Sequence, residues 1–484
     1  MGEEWRSSAL YTLERFGAEP PRRITGEFDH VVEFDWSPDG TKFAVISSRS
    51  ADPYVAITQH AAKILDAATG EMLSPMSMVP QQLAEIRWSP DGRHVAFLAA
   101  GKLSVSQMRE LMVFTPEERR GTNLVRDADL TMQGLAWAGD SASVIVHSFD
   151  RTRSTLLRVT VGRTPELQDT GFAGRVIDGP LVTDRMGRWL AFRSSSTTEP
   201  LDPTLFDPQR DILRTAVRLN PQVTQWTIGA TEVVTWTNAE GQEIEGLLTV
   251  TPRTPAGPAP LMVMPHGGPD WVSTQRFSPW AAFFAARGFS VFQPNYRGGI
   301  GYGNDFYQAN RGRLGEVELA DIESGVDMLI ATGRADPERL VYGGWSWGGY
   351  TTAWTIANTQ RYKAAVVGAG VTDTIVQYAT SDINRGHVAG WEFGGDPWRT
   401  PENFLRASPM QKVASITTPT LIIHGENDAR VGHANAVLLH RALTDLGITT
   451  RFLSYPREPH GFTEPAHTAH MLGEWAAWYA RFVK

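Results

Sequence analysis

Ser346 stands in a segment whose residue types favour nucleophilic chemistry. The sequence Gly344-Trp345-Ser346-Trp347-Gly348 follows the apolar run "RLVYGG" and precedes the helical stretch "YTTAWTIAN". G-x-S-x-G between a strand and a helix is the pattern of a nucleophile elbow, because glycine permits the sharp turn that exposes the serine hydroxyl. A serine hydroxyl is a weak nucleophile, so this interpretation requires a base that takes its proton.

Two later loops offer the acid and the base in the order that such a fold requires, serine first, then acid, then histidine. Asp428 follows the apolar strand "LIIHG", and His460 follows the strand "LSYP". Asp428 would hold the imidazole of His460 in the tautomer that accepts the serine proton. His424, Glu426 and Asp373 also lie near strand ends and compete for these roles, and we interpret His424 as structural. Either loop residue taken alone would more simply be a loop cap.

The tetrahedral intermediate of acyl transfer needs two hydrogen-bond donors for its oxyanion. The backbone N–H of Trp347 is one, because it follows the nucleophile. The loop "MPHGGPDW", after an earlier strand, predicts the second, and we assign it to Gly268. A plain turn is the alternative for this loop.

The sequence predicts no cofactor and no metal. The segment "YRGGIGYGNDF" lacks the G-x-G-x-x-G spacing of a dinucleotide loop, and no H-E-x-x-H motif occurs. The chain has no cysteines, which excludes disulfides and thiolate metal sites.

Composition narrows the partners. The 484 residues carry a formal net charge of −8 without a basic run, which argues against nucleic acid. The opening "MGEEWRSSALYTLERF" lacks the apolar core of a signal peptide, and no stretch is long enough to span a membrane. We therefore expect a cytoplasmic protein without a membrane partner, and the sequence leaves a homo-oligomer open.

The first half repeats a short motif. "FDWSPDGTKFAVIS" from Phe34 and "IRWSPDGRHVAFLA" from Ile86 are close copies, and weaker copies begin at Leu135 and Val182. A turn followed by alternating apolar residues predicts a hairpin, and a period of roughly 50 residues is typical of propeller blades. We predict about four blades, with a β-sandwich as the alternative.

The second half alternates strands and helices, which predicts a mostly parallel sheet covered by helices. Helices are expected at "YTTAWTIAN" from Tyr350, at "LADIESGVDMLIATG" from Leu319 and at "HMLGEWAAWYARFVK" from His470. Ligands of such sheets bind at the carboxyl ends of the strands. The predicted organisation is a β-propeller-like domain over residues 1–222, with a short N-terminal extension, and an α/β-hydrolase domain over residues 223–484.

Taken together, the segments "HGGP", "NYRGGIGYG", "GWSWGGY", "HGENDARV" and "PHGF" resemble the prolyl oligopeptidase family of serine peptidases, and they occur in the family's order. The elbow is similar to that of dipeptidyl peptidases, and "HGGP" to that of acylaminoacyl peptidases. The resemblance implies the triad Ser346, Asp428 and His460, with Gly268 and Trp347 as oxyanion donors.

The resemblance also implies a substrate site. Arg430 matches a position that binds the substrate carbonyl before the scissile residue, and a guanidinium presents several fixed donors for that task. Val371, Tyr378 and Val431 fall near segments that, with Trp347, form the apolar pocket. Family propellers usually have seven or eight blades, so about four would be a departure.

Three hypotheses follow. The first is a peptidase of short peptides, N-acylated ones included, and the second is an esterase, thioesterase or amidase of the same fold, since fold does not fix the substrate. The third is a non-enzymatic propeller scaffold with an inactive hydrolase domain, which the complete set of candidate triad residues disfavours.

Overall fold

The protein was analysed as a computed structural model. The structure describes residues 6–14, 19–52, 56, 58–76, 82–100, 108–126, 128–184, 186–253, 257–383 and 393–483. Residues 1–5 and 15–16 of the opening stretch quoted above therefore lie outside the described residues. The chain forms two compact units, residues 1–196 with 200–221 and residues 197–199 with 222–484.

The first unit consists of small antiparallel sheets. Its described residues form a two-stranded ribbon and four sheets of four strands each. The ribbon contains β1 (Tyr11–Thr12) and β2 (Arg22–Arg23), and the four sheets in turn contain β3 (His30–Trp36), β4 (Lys42–Ser48), β5 (Ala61–Asp66) and β6 (Met72–Pro75); β7 (Leu83–Trp88), β8 (Val95–Ala100), β9 (Arg109–Thr115) and β10 (Arg120–Asn123); β11 (Thr131–Trp137), β12 (Ser143–Asp150), β13 (Arg153–Thr160) and β14 (Leu167–Asp169); β15 (Val176–Thr183), β16 (Leu190–Ser195), β17 (Asp202–Asp207) and β18 (Ile212–Thr215).

Each copy of the sequence repeat forms the first hairpin of one sheet, β3–β4, β7–β8, β11–β12 and β15–β16. The turn aspartates explain the pattern, because Asp39, Asp91 and Asp140 each accept the N–H of the residue two positions on, at 3.0, 3.0 and 2.9 Å. Asp184 accepts the N–H of Arg188 at 2.7 Å. The fourth copy includes Arg185, which lies outside the described residues.

Consecutive sheets of this unit pack face to face through apolar side chains. Ile46 of the first sheet and Ile86 of the second belong to one apolar cluster, as do Leu98 of the second and Leu135 of the third, and Ile145 of the third and Leu190 of the fourth. A hydrogen bond adds to this, since the backbone N–H of Trp88 donates to the carboxylate of Asp35 in the preceding sheet at 2.7 Å. The prediction of a β-propeller-like domain with about four blades is confirmed.

The second unit is built on one eight-stranded sheet with the order β19-β20-β22-β21-β23-β24-β25-β26. Its first two pairings are antiparallel and the others are parallel, which confirms the mostly parallel sheet of an α/β-hydrolase fold. The strands are β19 (Thr231–Thr237), β20 (Glu243–Thr249), β21 (Leu261–Val263), β22 (Ser290–Asn295), β23 (Leu340–Trp345), β24 (Ala364–Gly368), β25 (Thr420–Gly425) and β26 (Thr450–Tyr455).

Helices cover both faces of this sheet. Their bounds are α1 (Pro279–Ala285), α2 (Asn304–Gln308), α3 (Glu316–Ala331), α4 (Trp347–Asn358), α5 (Thr374–Thr380), α6 (Pro401–Arg406), α7 (Ala434–Asp445) and α8 (Pro465–Phe482), with 3-10 turns at Pro221–Gln225 and Pro409–Ser415. Strand residues alternate between the faces, as in β23, where Val341 packs toward α1 and α8 while Leu340 and Tyr342 pack toward α3 and α4. Among the described residues, no helix is long and apolar enough to cross a membrane.

Candidate active site

Ser346 lies at the junction between β23 and α4. Its φ of 63° and ψ of −122° are strained for a residue with a side chain, and its N–H donates to Gly368 O at 2.9 Å. The flanking glycines permit this bend, because a Cβ on Gly344 would lie 2.5 Å from Gly348 O, and one on Gly348 would lie 2.5 Å from Pro265 O. The strand–turn–helix geometry is that of a nucleophile elbow.

Asp428 and His460 meet in the loops that follow β25 and β26. His460 Nδ1 lies 2.8 Å from Asp428 Oδ2, and the carboxylate requires a proton on this nitrogen, so Nε2 is left as the acceptor. Asp428 Oδ1 accepts the backbone N–H groups of Arg430 and Val431 at 2.9 and 2.8 Å. The loop therefore fixes both oxygens of the acid.

The buried carboxyl of Asp428 is held ionised by its donors. Burial opposes ionisation, but the hydrogen bonds from His424 and His460 outweigh it and lower the pKa of Asp428 to about 2. His424 is itself fully buried, and its Nε2 lies 3.2 Å from Asp428 Oδ2 and 2.7 Å from Val431 O. The residue interpreted as structural thus contacts the acid directly.

The other two competitors have different partners. Asp373 caps α5 by accepting the N–H groups of Ile375 and Val376 at 3.0 and 2.9 Å. Glu426 accepts the hydroxyl of Ser454 at 2.9 Å. Of the carboxylates considered from the sequence, Asp428 is the one bonded to His460.

The elbow is tied to the histidine loop through Trp345. Its indole N–H donates to His460 O at 2.8 Å, and its ring packs edge-on against Phe462 at 5.2 Å. Ser346 and His460 both lie in the described part of the chain, and no hydrogen bond joins the serine hydroxyl to the imidazole there. Such bonds are commonly long without substrate and tighten in the reacting complex.

The loop "HGGP" borders the nucleophile. A Cβ on Gly267 would lie 3.3 Å from Ser346 Cβ, so the Gly267–Gly268 backbone passes beside the serine. Trp347 is the first residue of α4, and its N–H therefore has no acceptor within the helix. The assignment of Gly268 and Trp347 as oxyanion donors stays a prediction, and this placement favours it.

The four candidate pocket residues lie in one apolar cluster. Trp347, Val371 and Val431 are buried, and Tyr378 packs against the same cluster. Tyr378 also packs edge-on against Phe404 at 5.7 Å, which sequence reasoning missed.

Arg430 has a protein partner in the structure. Its Nε lies 2.6 Å and its Nη2 3.4 Å from the two carboxylate oxygens of Asp382. Its proposed contact with substrate stays a prediction, in competition with a role in bracing the Asp428 loop.

One group of potential metal ligands occurs among the described residues: Glu458, Glu464 and His467. Glu458 accepts the backbone N–H groups of Thr463 and Glu464 at 2.7 and 3.0 Å, and Glu464 pairs with Arg457 at 2.8 Å. These bonds occupy the carboxylates, and we interpret the group as a structural cluster that holds the segment before α8.

Among known protein families, residues 275–484 match the prolyl oligopeptidase family. The match covers less than half of the chain and lies within the second unit. The match includes the whole candidate triad and confirms the resemblance.

Proteins similar to the chain include peptidases. "Uncharacterized peptidase YuxL" of Bacillus subtilis is 32% identical over 51% of the chain and 37% of that protein. "Acylamino-acid-releasing enzyme" of Arabidopsis thaliana is 30% identical over 46% of the chain and 30% of that protein. The chain thus matches about a third of the length of these curated relatives.

The fold also has solved counterparts. The acylaminoacyl peptidase of Pyrococcus horikoshii superimposes with a TM-score of 0.76 at 17% identity, covering 96% of this chain and 83% of that one. At this identity the likeness supports the two-domain fold alone.

The site also contains residues to which sequence reasoning gave no role in the site. Gly267 lies against Ser346, His424 contacts the acid, and Asp382 pairs with Arg430. The first two belong to quoted motifs, whereas Asp382 lies 48 residues from its partner and left no local signal.

Proposed function

We propose that the chain is a serine peptidase that hydrolyses short peptides, N-acylated ones included, through an acyl-enzyme. The observation that carries this proposal is the Asp428–His460 pair, at 2.8 Å, whose loop is tied to the residue preceding Ser346. The relatives named as peptidases and as an acylamino-acid-releasing enzyme favour peptide amides.

In the proposed reaction, Ser346 Oγ attacks the scissile carbonyl while His460 Nε2 takes its proton. Asp428 stabilises the imidazolium that forms and does not accept the proton itself. Gly268 and Trp347 N–H groups bind the oxyanion. His460 then protonates the leaving amine, and water releases the acyl group by the same steps in reverse order.

Substrate contacts follow from the same placement. The side chain of the substrate residue before the scissile bond would bind in the apolar cluster of Trp347, Val371, Tyr378 and Val431. Arg430 would bind the substrate carbonyl that precedes this residue. A cytoplasmic location and the domain boundary at residues 222–223 stay predictions from the sequence, which leaves a homo-oligomer open.

A panel of chromogenic substrates tests the proposal. Nitroanilides of acyl-aminoacyl and free aminoacyl groups and a simple nitrophenyl ester should be compared on the wild type and on Ser346→Ala. We expect the highest kcat/KM on an acyl-aminoacyl or longer peptide compound, and loss of all activities in the variant. Turnover of the ester alone would favour an esterase, and unchanged turnover by Ser346→Ala would remove the mechanism.

A further inference from the structure

Glu318 is a fully buried carboxyl that the proposed mechanism does not use. It lies in the first turn of α3, and each of its oxygens accepts one hydrogen bond. Gly315 N–H donates to Oε2 at 2.7 Å, and Asn310 Nδ2 donates to Oε1 at 3.0 Å. A buried carboxyl with specific donors holds the segments that supply them.

The first of these segments lies directly against the elbow helix. Gly315 has a φ of 81°, and a Cβ there would lie 2.5 Å from the indole of Trp354 and 2.8 Å from the hydroxyl of Tyr350. Tyr350 in turn stacks on Trp347 with ring centroids 4.2 Å apart. The contacts run from Glu318 through Gly315 to the residue that follows the nucleophile.

The second segment connects Glu318 to the glycine-rich loop that the sequence excluded as a dinucleotide site. A Cβ on Gly298, whose φ is 104°, would lie 2.1 Å from Asn310 Nδ2. The glycine therefore lets Asn310 reach Glu318, which gives this part of the motif a structural purpose.

We propose that Glu318 is a positioning residue, which holds Gly315 and Asn310 so that Trp347 keeps its backbone N–H directed at the oxyanion. This inference rests on the proposed function. Trp347 itself is buried, and its ring stacks on Tyr350, so packing helps to set its position.

The charge of Glu318 is titratable in the range where enzymes are assayed. Burial raises the pKa of Glu318 to about 7. Hydrogen bonds to the carboxylate act in the opposite direction and lower the pKa, and they come from its own backbone, Asn310, Gly315 and the Trp347 indole. The titratable groups that face it are Tyr296, at the end of β22, and Tyr342 of β23, and burial raises the pKa of both.

Protonation changes the hydrogen bonds that the Glu318 carboxyl can form. The ionised form accepts from both donors, whereas the acid must donate its own proton. Asn310 Oδ1 is buried without a partner among the described residues and would accept that proton after rotation of the amide. The Asn310 and Gly315 contacts, and with them the packing of Trp347, should therefore differ between the two forms.

The kinetic test replaces Glu318 by glutamine, which keeps the size and removes the charge. Glu323→Gln is the matched control, because Glu323 lies on the same helix, has its pKa raised by burial, and bonds to Arg361 and Tyr362. We expect Glu318→Gln to lower kcat about tenfold with KM within about twofold, since an oxyanion donor is displaced rather than removed. Wild-type kinetics, or an equal loss in Glu323→Gln, would overturn the proposal.

A spectroscopic test does not depend on turnover or on the folding of Glu318→Gln. The protein contains 16 tryptophans, so 5-fluorotryptophan is incorporated into Ser346→Ala and the Trp347 fluorine resonance is assigned by its loss in Trp347→Phe. We expect that resonance to shift with a midpoint near pH 7. A resonance that does not move between pH 5 and 9 would refute the role of Glu318.

The two proposals fail in different ways. If the wild type reacts with a fluorophosphonate at Ser346 while Glu318→Gln behaves as wild type, the serine mechanism stands and the positioning role falls. If Ser346 does not react at all, the proposed function fails, whatever Glu318 does.

Discussion

Asp428 is the residue at which the hydrogen bonds of the site converge. It accepts two backbone N–H groups through one oxygen and contacts two imidazoles through the other. The sequence motif and its order predict the acid and the base, but not the second histidine. His424 lies near the end of β25, and its contact with Asp428 depends on how the loop after that strand folds back.

Asp428→Asn should lower kcat by about 10⁴, because the amide favours the wrong tautomer of His460. The comparison is with Glu426→Gln in the same loop, which changes a carboxylate bonded to Ser454 and should leave kcat within a few fold. Near wild-type turnover by Asp428→Asn would assign the acid to another residue.

Low pH should reduce the contribution of Asp428 to the free energy of unfolding. Its folded pKa, about 2, lies below the ordinary value of 3.8, so the stabilisation is complete above pH 4 and is lost as the pH falls through 2. The lowered pKa corresponds to about 2 kcal/mol. The difference in free energy of unfolding between the wild type and Asp428→Asn, measured from pH 6 to pH 2, should narrow by that amount. A difference independent of pH would contradict the lowered pKa.

Arg430→Ala tests substrate binding against bracing. A charged donor to the substrate carbonyl is worth about 1.5–3 kcal/mol, so kcat/KM on peptides should fall about 10- to 150-fold while a small acetate ester is spared. Asp382→Asn releases the guanidinium without removing it and should spare both substrates. Equal losses on both substrates in both variants, with a lower Tm, would show that the Arg430–Asp382 pair only braces the loop.

At the scale of elements, the sequence predicts the strands and helices that carry the site but misplaces their starts. The elbow helix begins at Trp347 rather than Tyr350, α3 at Glu316 rather than Leu319, and α8 at Pro465 rather than His470. Apolar periodicity detects the packed face of a helix and misses a first turn with few apolar side chains. Glu318 shows this, because hydrogen bonds rather than apolar spacing account for its burial.

Gly348→Ala should disrupt the elbow, because a Cβ there would lie 2.5 Å from Pro265 O and would push the oxyanion loop away. We expect kcat to fall at least about 100-fold, comparable to the loss of an oxyanion donor. Gly473→Ala, in α8, is the control, since its Cβ meets nothing within 4 Å and alanine favours the helix. It should keep full activity with an equal or higher Tm. A fully active Gly348→Ala would show that the close approach is not required.

At the scale of the whole molecule, the repeat and the change to alternating strands and helices predict two domains of different class. The turn aspartates make the first three blades recognisable in the sequence, because the same hydrogen bond recurs in each of their hairpins. The pairing of Arg430 with Asp382 joins segments 48 residues apart, and no local pattern predicts it.

The central claim is that Ser346 is the nucleophile of a hydrolase. The most direct measurement treats the full chain with a fluorophosphonate and maps the modified residue by tandem mass spectrometry, with Ser346→Ala treated in parallel. We predict one adduct, on Ser346, that is absent from the variant. An adduct on another serine, or labelling that persists in Ser346→Ala, would contradict the account.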